Sequence, residues 1–143
     1  MNGNVELLNY IYKNAQMGQD TINRLLDIVE DKGAFKTHLE SQFREYKKIF
    51  DLAEKKLEET GSEVKGVNPL SKIQVYLMID VKTLLNKTPS HISEMLIQGS
   101  NMGIIEITKN LKKYSEAEQD ILDLGNKLLE VEQRNIEELK KFL

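Results

Sequence analysis

Along the N-terminal segment, apolar or small residues recur in alternating steps of three and four, at Leu8, Ile11, Ala15, Gly18, Ile22, Leu25 and Val29. That is the α-helical period, and it presents one face to a core. The spacing predicts a helix over about 4–31. Asp31-Lys32-Gly33 should stop it, with Gly33 as a left-handed C-terminal cap, and so short a connection makes the next helix antiparallel. A second helix over about 34–59 carries the seam Phe35, Leu39, Gln42, Tyr46, Ile49 and Ala53, flanked by Phe43, Phe50 and Leu57. Beyond Gly61 and a polar stretch to Asn68, a shorter helix is predicted over about 70–85. Its Ile73, Val75, Tyr76, Leu77, Met78, Ile79, Val81, Leu84 and Leu85 are apolar on more than one side. Thr88-Pro89 sets a capping hydroxyl before a proline suited to the first helical position, so a long helix should follow over about 89–114. Ser115-x-x-Glu118 has the form of a capping box. It should open a last helix over about 116–142, with Ile121, Leu124, Leu128, Val131, Asn135 and Leu139 on its seam.

The four long helices have about 26 residues each, and so about 39 Å of length at ~1.5 Å per residue. The connection between the second and third of them is long enough to return the chain along the bundle, which makes those two helices parallel. The prediction is one all-α domain over 1–143: an antiparallel four-helix bundle whose long crossover carries an additional short helix. Two short-looped antiparallel pairs joined by one long crossover is the ferritin-like arrangement.

In helix lengths, crossover and connections the chain resembles the ferritin-like family over essentially its whole length, and within it small bacterial stress or spore-coat proteins. Members with a di-metal centre carry a Glu on two helices and Glu-x-x-His on the other two. This chain departs from that set. Gln42 stands where the second helix would project its Glu, with Glu45 in place of the His, and Glu132-x-x-Asn135 on the last helix again lacks the His. The first long helix offers Gln16 or Gln19, and the third offers Gln98, Asn101 or Glu106. What the resemblance implies is a scaffold with its metal centre replaced by a buried polar network of Gln42, Tyr46 and Asn135. Such groups must be paired, because a buried polar group without a partner costs a few kcal/mol.

Charge and composition narrow the function. Charged residues make up 30% of the chain with both signs mixed and a net charge of -3, which describes a solvated surface and argues against a nucleic-acid partner. There is no Cys, so thiolate metal sites, disulfides and Cys nucleophiles are excluded, and the cytoplasm is the expected compartment. The start Met1-Asn2-Gly3-Asn4-Val5-Glu6 lacks the basic and apolar regions of a leader, and no stretch reaches the roughly 20 apolar residues needed for a membrane span. No Gly-x-Ser-x-Gly motif presents a nucleophile. His38 and His91 have no spacing that pairs them as ligands, and they read as surface or capping residues. Gly99-x-x-x-Gly103 reads as close helix packing. Lys109, Lys112 and Lys113 complement the helix dipole, and Glu137, Glu138, Lys140 and Lys141 support the last helix through side-chain pairs.

The second apolar stripe of the short helix, Val75, Met78 and Ile79, has no place in a single bundle and marks an association surface, with a homodimer as the commonest solution. The leading expectation is a non-catalytic bundle without a cofactor that works through self-association or partner binding. The alternative is a metal-binding oxidase or metal-storage protein with a site of Gln42, Glu45, Glu106 and Glu132. A third reading is small-molecule binding in a cavity around Tyr46, since bundle cores hold ligands.

Overall fold

A computed structural model of the chain describes residues 2–30, 32–62, 69–83 and 86–143. The described residues are helical throughout, with no strand: α1 (Asn4–Ile28), α2 (Ala34–Glu59), α3 (Pro69–Thr83), α4 (Pro89–Lys113) and α5 (Gln119–Leu139), then one 3-10 turn (Lys140–Phe142). Asp31, Leu84 and Leu85, and the side chains of Leu70, Ile73, Leu77 and Val81, lie outside what is described. No helix among the described residues is long and apolar enough to cross a membrane.

The seams of α2 and α5 are buried at every position the period assigns to them, with Leu57 added on α2 and Gly125, Glu132 and Ile136 on α5. On α1 the buried stripe is wider than the seam, taking in Leu7 and Tyr12 as well. Tyr12 stacks on Phe50 of α2 at 4.5 Å between ring centroids, a pairing that helps fix the α1–α2 contact.

Contacts at the bundle ends fix the directions. At one end the start of α1 meets the end of α4, where the Glu118 N–H donates to Asn4 Oδ1 at 2.8 Å, and Lys56 of α2 pairs with Asp120 of α5 at 2.6 Å. At the other end Phe35 of α2 lies edge-on to Phe142 at 5.1 Å, and Lys87 before α4 reaches Glu30 after α1 at 3.8 Å. Hence α2 and α4 point the same way, and α1 and α5 point against them. The crossover helix lies along α1, tied by Lys72 to Asp20 at 2.9 Å and by Arg24, which donates from Nε to Asp80 Oδ1 at 3.0 Å.

Several boundaries differ from the pattern's expectation. The first helix ends at Ile28, because Val29 turns extended and packs half-buried on the core, which removes the need for a further helical turn. Gly33 is therefore no left-handed cap; it is the N-cap of α2, with φ -93°. The left-handed position belongs to Gly61, with φ 71°, where Gly61 N–H to Glu58 O and Ser62 N–H to Leu57 O close the end of α2 in a Schellman motif. Ser115 makes no capping box. Ala117 turns into the core and Asn4 takes the Glu118 N–H, so α5 starts at Gln119 with Glu118 as its N-cap. Thr88 caps α4 as its position implies, accepting from the His91 N–H at 3.2 Å.

The association surface also needs correction. Ile79 is only 2% exposed and belongs to the core, Val75 is half-buried, and Met78 alone of the three is open, at 49%. The physical reason is that α3 lies against α1 and turns Ile79 toward it, so the second stripe is divided between core and surface rather than left outside.

Candidate functional site

The buried face of α4 is poor in bulk. Its buried residues are Ile92, Ser93, Ser100 and Ile107, with Gly99 and Gly103 interleaved. Opposite them α1 carries Gly18. Gly18 is met by the Tyr46 ring and Gly103 by the Glu132 carboxylate, whereas a Cβ at Gly99 would meet nothing within 4 Å, so space is left there that a larger side chain would close. The result is a cleft of about 390 Å³ between α1, α3 and α4, floored by α2 and α5. Met17, Ile22, Ile79, Met95 and Leu96 line its apolar walls. Tyr46, Gln42, Ser100 and Glu132 supply polar groups within it, while Tyr10, Asn14, Lys82 and Glu106 add more along its length.

Glu132 is the centre of this polar group. It is 4% exposed, and its carboxyl is pushed up to about 7 by burial, with the Ser100 and Tyr46 hydroxyls pulling in the opposite direction. Tyr46 is held neutral far up the pH scale, first by burial and then by the Glu132 charge, while Asn135 and Ser100 oppose the shift. Tyr10 accepts from Asn14 Nδ2 at 3.3 Å, and burial with the charges of Glu106 and Glu132 pushes it up to about 12. Among the described residues, Glu132 Oε2, Asn135 Nδ2 and Ser93 Oγ are buried without a hydrogen-bond partner. Native cores rarely leave such atoms unpaired, and of these three residues Glu132 is the one that lines the cleft.

Two glycines shape the approach to these groups. A Cβ at Gly18 would come within 2.6 Å of the Tyr46 ring, and one at Gly103 would lie 3.2 Å from Glu132 Oε1. Both absences let a buried polar side chain meet the neighbouring helix backbone.

The residues expected from the sequence fall into two groups. Tyr46 and Asn135 are buried side by side, but Gln42, 2% exposed, pairs elsewhere: its Nε2 lies 2.6 Å from His38 Nε2 one turn earlier. His38 is half-buried against Phe142, and burial lowers its pKa. The alternative metal set is divided. Gln42, Glu106 and Glu132 line the cleft, whereas Glu45 lies in a separate mixed-charge groove with His38, Lys48, Arg134 and Glu138, where Arg134 pairs with it at 3.5 Å. No group of three or more His, Asp or Glu that would hold a metal ion is found among the described residues. Gln98 and Asn101 are exposed on α4, and Met102 is 69% exposed at the cleft mouth.

Sequence reasoning placed Glu132 only in the metal alternative, because a carboxylate on an amphipathic helix ordinarily faces water. The signal for its burial was present: Glu132 stands four residues after Leu128 and three before Asn135, both seam positions. Ser100 had no such signal beyond its neighbours Gly99 and Gly103. No protein-family model, no curated protein and no solved structure matches the chain.

Proposed function

We propose that the chain is a ferritin-like bundle that acts by binding, and that its ligand is a small, mostly apolar molecule held in the cleft between α1, α3 and α4. The ferritin-like reading is supported by the connectivity: two antiparallel pairs, a long crossover carrying α3, and α2 parallel to α4. The observation that carries the ligand reading is the convergence of Met17, Met78, Met95 and Met102, every methionine after Met1, on one cleft with buried polar groups at its floor. Methionine is flexible and polarisable and suits walls that adapt to an occupant. A largely apolar cavity with a few convergent polar groups, one of them with a perturbed pKa, is the usual form of a small-ligand site.

The test is a titration with N-phenyl-1-naphthylamine, a neutral apolar fluorescent probe. The reading predicts saturable binding at one site per chain, and a linear, unsaturable response contradicts it.

A second reading, association of two copies, rests on Met78 and Met102, 49% and 69% exposed at the cleft mouth. In that reading Met78 and Met102 replace the Val75, Met78 and Ile79 surface expected from the pattern. Light scattering at micromolar concentration tests it: a dimer that becomes monomeric on Met78→Lys supports association, and a monomeric wild-type chain rules it out.

A further inference from the structure

The cleft's polar groups have a direction of charge. Glu132 projects from α5 with one carboxylate oxygen unpartnered among the described residues. Tyr10 from α1, Tyr46 from α2 and Ser100 from α4 bear on it, while Lys82 from α3 and Glu106 from α4 line the same cleft. Tyr10 and Tyr46 are neutral phenols whose ionisation is suppressed, so they contribute oxygens and no charge at neutral pH. The ionisable charges lining the cleft are then Glu132 and Glu106 against Lys82 alone. Lys82 and Glu106 are both exposed, so solvent screens them, and Glu106 is paired with Lys109 at 3.8 Å, whereas Glu132 is buried and screened least. Gly103 lets the α4 backbone come up against the Glu132 carboxylate, since any side chain there would start 3.2 Å from Oε1.

We infer that the ligand carries a protonated primary amine on an apolar body, and that the buried Glu132 is its counter-ion. This rests on the cleft being a ligand site. An ammonium group offers three donors and no acceptor. The cleft offers it the free Oε2 of Glu132 with the Ser100 and Tyr46 hydroxyl oxygens nearby, while the methionines take the apolar body. A carboxylate head would meet the buried acid Glu132, with the exposed Glu106 and Lys82 both screened by solvent. An alcohol would satisfy Oε2 with a single donor but leave the buried charge uncompensated. The pKa of Glu132 fits this assignment: an ammonium ion favours the ionised carboxylate, so ligand binding should release a proton near neutrality.

The experiment displaces N-phenyl-1-naphthylamine from the chain with decylamine, decanol and decanoate, each below its micelle concentration. At pH 8 decylamine should compete at least about tenfold better than decanol, the margin expected of one charge-assisted hydrogen bond, and decanoate should be weakest. The decylamine-to-decanol ratio should fall by about tenfold from pH 8 to pH 6 as Glu132 takes up its proton, with decylamine itself charged throughout. In Glu132→Gln the ratio should approach one at both pH values. If the probe binds but the ratio is near one in the wild type, or its pH dependence persists in Glu132→Gln, the amine assignment is overturned and the cleft remains a ligand site. If the probe does not bind, both fail. The pH dependence is read on the wild-type chain, so the inference can be refuted even if Glu132→Gln does not fold.

Discussion

The ring of Tyr46 on α2 lies so close to Gly18 on α1 that a Cβ added at Gly18 would come within 2.6 Å of it. Replacing glycine by alanine inside a helix is ordinarily worth about 1 kcal/mol of stability. Here the sign should reverse, because Tyr46 is 5% exposed and its ring, not a flexible chain end, would have to shift. Gly18→Ala should destabilise the chain by about 1–3 kcal/mol in urea unfolding, the range for overpacking a core. Combined with Tyr46→Leu it should cost less than the two changes summed, since they share one contact. A stabilised Gly18→Ala chain would show that the ring is not held there.

Burial raises the Glu132 carboxyl from an ordinary 4.5 to about 7. The folded chain then binds more protons than the unfolded one between those values, so stability falls as pH rises from about 4.5 to 7 and levels off above. The window corresponds to about 3 kcal/mol. His38 acts in the opposite sense: its lowered pKa removes stability as pH falls through its range. The difference between wild type and Glu132→Gln isolates Glu132. Across that window the variant should gain on the wild type as pH rises, and parallel pH profiles for the two would contradict a buried Glu132.

Buried Gln42 and half-buried His38 pair one helical turn apart, with nitrogens 2.6 Å apart. Gln42→Leu strands the His38 ring nitrogen, at a cost of about 1–3 kcal/mol. Changing His38→Phe in the same chain removes the orphan and should recover part of that loss, measured by thermal unfolding. Full additivity of the two changes would mean the pair does not interact.

Metal binding separates this reading from the oxidase or storage alternative. Glu45 is taken by Arg134, and Gln42 brings a neutral amide, a weak replacement for a charged ligand. Protein purified without chelator should carry less than about one equivalent of iron, manganese or zinc by elemental analysis, given that weakness. Two tightly held equivalents, lost on Glu132→Ala, would restore the metal reading.

Much of the fold was legible because burial follows a helical period. The seams of α2 and α5 needed only the alternation of three and four to locate them, polar Gln42 and Asn135 included. What the period does not encode is the choice between positions that satisfy it equally. Val29 meets its burial from an extended conformation as well as from a helix, so the end of α1 was misplaced, and the glycine that caps a helix C-terminus in the left-handed conformation is Gly61 rather than Gly33. Ile79 sits on an apolar stripe whose facing was decided by how α3 lies on α1, a tertiary fact. The cleft was legible only in outline: a cavity around Tyr46 was one reading, but the packing of Tyr46 on Gly18 and of Glu132 on Gly103, and the open space at Gly99, are visible only once the helices are paired.

The occupancy of that cleft is tested most directly by filling it. Gly99 lines the space, and a Cβ built there meets nothing within 4 Å. A bulky side chain therefore fits at the cleft wall without disturbing the core, and leaving glycine favours the helix. N-phenyl-1-naphthylamine should bind the wild-type chain saturably, and Gly99→Trp should weaken it by at least about tenfold, the loss of about 1.4 kcal/mol of contact, with the circular dichroism spectrum and thermal midpoint retained. Undiminished probe binding to a folded Gly99→Trp chain would contradict the account.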